Sequence, residues 1–417
     1  ALQFDHLAPA ADLKVHVANT TRNAVIESEN TANDRRGHVM FMHSRDVQVA
    51  NAGFYELGRS NQTRTVNDVQ LDANGSLIAG TGTNPRGRYS VHFHRNGTQK
   101  DSAAATVTGS AVVGSPGWGY VNHSSYVDFI DNVSYDVDGA AFNTEVGDEV
   151  GVFVDNLSIK THGTGESPAE DGDNQDYGRS GDGFWFHGSG IRVEGNIATG
   201  ATGSGIIFWG ETLIVGKDSE GNPPEGSTVS EYLVENLPDP SLVPNHTSIP
   251  TLYVPFHEVS NNQAYGSHKG FEVYHHGDGE LTEEQNARFG ITDGNLDVNP
   301  FNLPDSVIDG VTVWNSQTGV KLNYTENVRI SNVRVVNAFA QQGDLGFDAG
   351  TNMYNGSNQT YENLNIQGFQ TGLLAARGET VVIDGGTFAN AVDIEIPETR
   401  QTHRRMEIKG DIRFAPL

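Results

Sequence analysis

The chain has 417 residues, no cysteine and a formal charge of −27. That charge speaks against nucleic acid and anionic membrane as partners, since both would be repelled, and the absent cysteines exclude disulfides and thiol chemistry. No apolar run is long enough to insert in a membrane.

In chain order, Leu13–Val17 and Asn23–Glu27 read as strands, and residues 1–36 as an N-terminal cap. The first residue is Ala1, so the sequence reads as a mature or excised piece. Arg36-Gly-His-Val-Met-Phe-Met-His43 opens a first coil and Val47–Tyr55 continues it. One phrase then recurs, a Gly followed by a short apolar run: Gly119, Gly139, Gly183, Gly205, Gly270, Gly319, Gly346 and Gly372 each open one, with Arg88 taking the glycine's place in the first. Uninterrupted copies are 20 to 27 residues apart, as 119 to 139, 183 to 205 and 319 to 346 show. A second phrase opens on Asn132, Asn156, Asn196, Asn332 and Asn363. Runs this short, rich in β-branched and aromatic residues, are strands rather than helices. A repeat of this length stacks into a solenoid, whereas a propeller needs a period near 40–50 residues. The expected fold is all-β, a right-handed parallel β-helix over residues 37–391, with Gly and Asn at corners that need left-handed backbone angles. Residues 392–417 are read as a C-terminal cap.

Three stretches break the period: Thr161–Ser180, Glu211–Pro250 and Gly277–Pro304, the last with a short helix at Leu281–Phe289. Insertions in a solenoid leave its corners and build walls on one face. A groove flanked by them is therefore expected, suited to a chain-like substrate.

Aligning the phrases stacks chemistry-bearing residues on that face. His92 and His94 lie two apart on one strand face, a geometry for a metal or for one base and one substrate contact. His92, His187, Glu145 and Asp182 are the candidate catalytic groups, because imidazole and carboxyl are the side chains that move protons near neutral pH. Arg88, His94, His123, Trp185, Trp209, Lys269, Glu272, Tyr274 and His275 are candidate substrate contacts, aromatic faces being platforms for sugar rings. Phe184 and Phe186 are read as core. Asp171, Asp173 and Asp176 resemble part of a Ca²⁺ loop without the spacing of an EF-hand. With 53 acidic residues against 26 basic, Ca²⁺ is the expected ion, and no organic cofactor is expected.

Arg36–Ser44, Arg86-Gly-Arg-Tyr-Ser-Val-His-Phe-His-Arg95 and Gly139-Ala-Ala-Phe-Asn-Thr-Glu-Val-Gly-Asp-Glu149 resemble the β-helical region of the G8-domain family. That family includes the cell-migration-inducing and transmembrane cell-surface hyaluronidases, and the phrase at Gly183 resembles its bacterial branch. The similarity covers roughly residues 20–210, with only a tail of a G8 domain, around Val17–Glu29, in the chain. The resemblance implies a parallel β-helix, a secreted or cell-surface setting and Ca²⁺-dependent depolymerisation of hyaluronan. The expectation is a monomeric secreted enzyme that cleaves a polysaccharide, first by hydrolysis and second as a lyase. A non-catalytic glycan-binding or adhesive segment is the alternative.

Overall fold

The computed structural model describes residues 8–44, 46–64, 66–101, 103–163, 178–210, 230–277, 283–290, 300–339, 341–351, 356–398 and 405–416. The Asp171–Asp176 stretch lies outside them. Apart from an antiparallel pair, Glu231–Leu233 with Ser248–Pro250, the described strands form one parallel β-helix, with three strand faces per coil. On the first face, eleven strands stack in register from Val39–Met42 to Val392–Glu395. On the third face, parallel pairing begins earlier, with Ala24–Glu27 on Ala52–Tyr55, and continues to Ile412–Phe414 on Gly386–Phe388. The strand read at Asn23–Glu27 is present. Leu13–Val17 forms none: it lies lengthwise against the third face, where Leu13 is buried with Tyr265, Trp314 and Val336.

Alternation decides what faces inward. Tyr120, Phe142 and Phe184 pair in register and stack flat at 4.9 and 4.7 Å inside the helix. Each such ring, fully buried, contributes about 1.5–3 kcal/mol.

The recurring glycines are there for closeness rather than for a left-handed angle. On the first face Gly119, Gly183, Gly205, Gly270, Gly319, Gly346 and Gly372 all have ordinary φ. A Cβ on Gly183 would sit 2.5 Å from the Gly205 carbonyl oxygen, and one on Gly319 would sit 2.2 Å from that of Gly346. The register also moves two alignments. Val91 pairs with Tyr120 and Phe142 with Tyr120, so Ser90 and Ala141 occupy the glycine position, not Arg88 and Gly139.

Asparagine plays two roles that the sequence phrase merged. Asn132, Asn156, Asn196 and Asn262 form a buried ladder. The first three donate both backbone N–H and side-chain amide to the next one's Oδ1, at 3.0–3.1 Å. Val311, Val333 and Leu364 continue that buried column. Asn332 and Asn363 stand one residue earlier, exposed, at φ +53° and +51°.

Candidate functional site

The register defines two outward columns on the first face. One runs His92, Val121, Asn143, Trp185, Ile207, Glu272, Lys321, Asp348. The other runs His94, His123, then Glu145, His187, Trp209, Tyr274, Asn323. His92 therefore shares a column with Trp185 and Glu272, not with His123 and His187.

The insertions rise on two sides of this face. The described parts of residues 57–90, and residues 178–181, enter it from the third face. Residues 57–90 are an excursion that the repeat spacing did not reveal. Arg179 Nε donates to Gln62 O, tying these two segments along that rim, and Trp118 Nε1 donates to Gly178 O, fixing the second against the coil of Gly119. At the far ends of the strands stand the described parts of 230–257 and 283–304, with the short helix at Glu283–Phe289. They carry their own core around Tyr232, Ile249, Leu252 and Phe301. Contacts from Thr98 through Gly147 and Ser189 to Gly277 seat this wall over several coils.

Two clusters lie between the walls. In the first, His92, His94 and His123 bring one ring nitrogen each within 4.8 Å of one another. His94 and His123 have ring centres 4.3 Å apart, edge to face. Glu145 Oε2 lies 2.9 Å from His123 Nδ1 and 3.6 Å from His92 Nε2. Burial works to raise the Glu145 carboxyl, but the charge and hydrogen bond of His123, then His92 and His94, outweigh it and lower it to about 2. Burial lowers His94 to about 4, and lowers His92 as well. Against burial, Glu145 raises His123. The adjacent corner is braced by Glu149, which accepts four backbone N–H bonds, from Ser124, Glu145, Val146 and Gly147.

The second cluster is a cavity of about 220 Å³ lined by Asp182, Trp185, Ser204, Trp209, Lys269, Glu272 and Tyr274 among others. Trp209 and Tyr274 stack at 4.2 Å. Ser204 ties two carboxyl groups together: its N–H donates to Asp182 Oδ1 and its hydroxyl to Glu272 Oε2, both at 2.6 Å. Lys269 Nζ lies 2.6 Å from Glu272 Oε2. Burial pushes Asp182 up to about 7, against the Ser204 N–H and Lys269.

Glu145 and Asp182 do not form one acid pair. Asp182 is the register partner of Ala140, five residues before Glu145, which puts roughly 16 Å of strand between them. His187 lies beyond the imidazole cluster, with Nδ1 3.2 Å from Glu145 O. His92 and His187 point to the groove side but are only 1% and 3% exposed, not the open groove residues that the sequence suggested. Trp185 is 2% exposed and offers the cavity only an edge. Arg88 reaches back to Arg86 O. His275 turns away at φ +54° to stack on Tyr324 at 4.3 Å, outside the cavity. Ser204 was not singled out in the sequence, because a serine carries no signal until register sets it between two acids.

Among the described residues the site is thus a walled groove on a parallel β-helix, and no helix there is long and apolar enough to cross a membrane. Residues 61–233 match the family model described as CEMIP beta-helix, which identifies this part of the chain with the resemblance read from Arg86–Arg95 and Gly139–Glu149. The match covers the imidazole cluster, Asp182 and Trp209, and ends before Lys269 and Glu272. A search of the curated proteins finds no significant match.

Proposed function

We propose that the protein is a secreted enzyme that cleaves a polysaccharide lying along the first-face groove, by hydrolysis at the Asp182–Glu272 pair. One observation carries this reading. Two carboxyl groups joined through Ser204 have opposite surroundings, Asp182 raised to about 7 by burial and Glu272 ion-paired to Lys269, and both line a cavity edged by Trp209 and Tyr274. A carboxyl that burial keeps protonated, beside one paired to a lysine, offers a proton donor and a carboxylate at one site. Asp182 gives its proton to the glycosidic oxygen as the bond to C1 breaks. Glu272 takes a proton from the water whose oxygen joins C1. The cavity holds about seven waters' volume, the scale of one sugar ring, and the groove continues past it to the imidazole cluster.

The test is a panel of neutral and acidic polysaccharides, hyaluronan among them, with wild type, Asp182→Asn and Glu272→Gln. The expected result is new reducing ends without unsaturated uronate, and turnover about 10²–10⁴-fold lower in each variant. Ultraviolet absorbance from an unsaturated uronate would move the chemistry to elimination, with Tyr274 and the histidines as proton carriers. Glycan retention without any product would make the groove a binding surface.

A further inference from the structure

We infer that His92, His94 and His123 hold one divalent transition-metal ion of the zinc class, at a site separate from the carboxyl pair. The first observation is convergence: three ring nitrogens from two adjacent coils lie within 4.8 Å of one another. The second is that two of the three are bare. His92 Nε2 and His94 Nδ1 are buried without a hydrogen-bond partner, and an unsatisfied buried nitrogen is costly unless something occupies its lone pair.

The third observation fixes the tautomer. His92 Nδ1 lies 3.1 Å from the Gly87 carbonyl oxygen, which accepts only if Nδ1 carries the proton. In the neutral ring Nε2 is then a lone pair aimed into the cluster, 3.6 Å from Glu145 Oε2. Gly87 sits at φ +71°, an angle that favours glycine, and this turn aims its carbonyl at the His92 ring. His123 leans on Glu145 at 2.9 Å. A carbonyl or carboxylate on the far nitrogen is the usual outer support of a metal-bound imidazole. His92 has the first at Gly87, while Glu145 Oε2, 2.9 Å from His123 Nδ1 and 3.6 Å from His92 Nε2, holds the His123 ring from beside the cluster.

The donors also choose the ion. Ca²⁺ takes oxygen ligands, whereas imidazole suits Zn²⁺, Cu²⁺, Ni²⁺ and Fe²⁺. Three protein ligands, with His94 and His123 only partly buried, leave a position open toward the groove, as catalytic rather than structural zinc sites do. That position suits a carboxylate or hydroxyl oxygen of a sugar. The long negative charge of the chain adds a general attraction for cations.

The experiment uses full-length, tag-free protein stripped with chelator and titrated with Zn²⁺ by calorimetry and with Co²⁺ by visible absorption, no glycan being present. One ion per chain is expected, undisplaced by excess Ca²⁺. His94→Ala and His123→Ala should each abolish binding or weaken it at least 100-fold, and Glu145→Gln about 10–100-fold. Circular dichroism checks that each variant is folded; His94, the more exposed, keeps the test open should His92→Ala not fold. Asp182→Asn should bind Zn²⁺ as wild type does, so loss of glycan cleavage and loss of metal are read apart. Folded protein that takes up neither ion, or binding that survives both His94→Ala and His123→Ala, overturns the site and leaves the hydrolytic reading standing.

Discussion

As the proposed proton donor, Asp182 ties stability and turnover to the same proton. Its carboxyl is 2% exposed and is raised by burial from the ordinary 3.8 to about 7. A carboxyl whose folded value lies above its unfolded one stabilises the fold through its protonated form. That stability is complete below about pH 4 and is lost as pH rises toward and through 7. The span amounts to about 4 kcal/mol. Wild type should therefore lose stability relative to Asp182→Asn between pH 4 and 7, with the asparagine still accepting the Ser204 N–H. Turnover should fall above pH 7 as the acid is lost. Paired melting curves across pH check the first effect and rate profiles the second; parallel curves for the two proteins would remove Asp182 as the titrating group.

The strands and corners impose rules of their own. Gly319 has no room for a side chain, with Gly346 O at 2.2 Å and Val335 Cγ1 at 2.3 Å from where a Cβ would stand. Gly319→Ala should cost at least about 1–3 kcal/mol by overpacking, read by urea unfolding. The asparagine ladder makes a sharper contrast. Asn196→Leu strands the N–H and side-chain amide of Asn156 and the carbonyl of Phe153. Each buried orphan costs about 1–3 kcal/mol. Asn332→Ala, at an exposed corner with φ +53°, should cost only about 1–2 kcal/mol of backbone strain. Equal losses at the two positions would mean that both asparagines are merely corner residues. This distinction also marks what could be read from the sequence. The Gly and Asn phrases announced a solenoid, because steric and hydrogen-bonding demands repeat in every coil. They did not announce the register, because Ser90 and Ala141 satisfy the glycine position without looking like it. A two-residue slip keeps the same side chains on the same face, so the groove residues were found while their partners were not.

At the scale of the molecule, the site is assembled across gaps that sequence spacing cannot measure. Asp182 and Glu272 are 90 residues apart in the chain, yet their strands are separated on the first face only by Ser204–Trp209. The insertion between Trp209 and Glu258 hides that closeness. The imidazole cluster was more legible, since His92 and His94 share a strand, although its third member came into column with His94 rather than His92. The wall over residues 230–257 should be separable from the chemistry. Thr251→Ala removes the side chain set against Gly147 and Gly188 and should weaken glycan affinity more than it slows turnover, measured as a KM increase with kcat within a few fold. An unchanged KM would mean that this rim does not meet the substrate.

A stack of coils, each touching only its neighbours, behaves as a one-dimensional array, and the N-terminal segment, like the wall of residues 230–257, departs from that rule. His16 donates its N–H to the Tyr265 hydroxyl across 249 residues, and Asp12 meets Arg334 at 2.8 Å across 322. Arg22, ten residues after Asp12, already reaches Gly109, and Ala24 pairs with Ala52 in the first coil. During synthesis the segment emerges before the coils around Tyr265, Trp314 and Arg334 and has nothing to lie on until they exist. It must wait for them, and its closure couples the earliest coil to the eighth. Pulse-labelled hydrogen exchange during refolding should find Leu13 and His16 protected after the ladder amides of Asn132–Asn262. A ribosome-bound chain ending before Tyr265 should leave them open while its own coils are formed. The protein thus carries, in a dozen residues, a lock that only a stack of eight coils can engage.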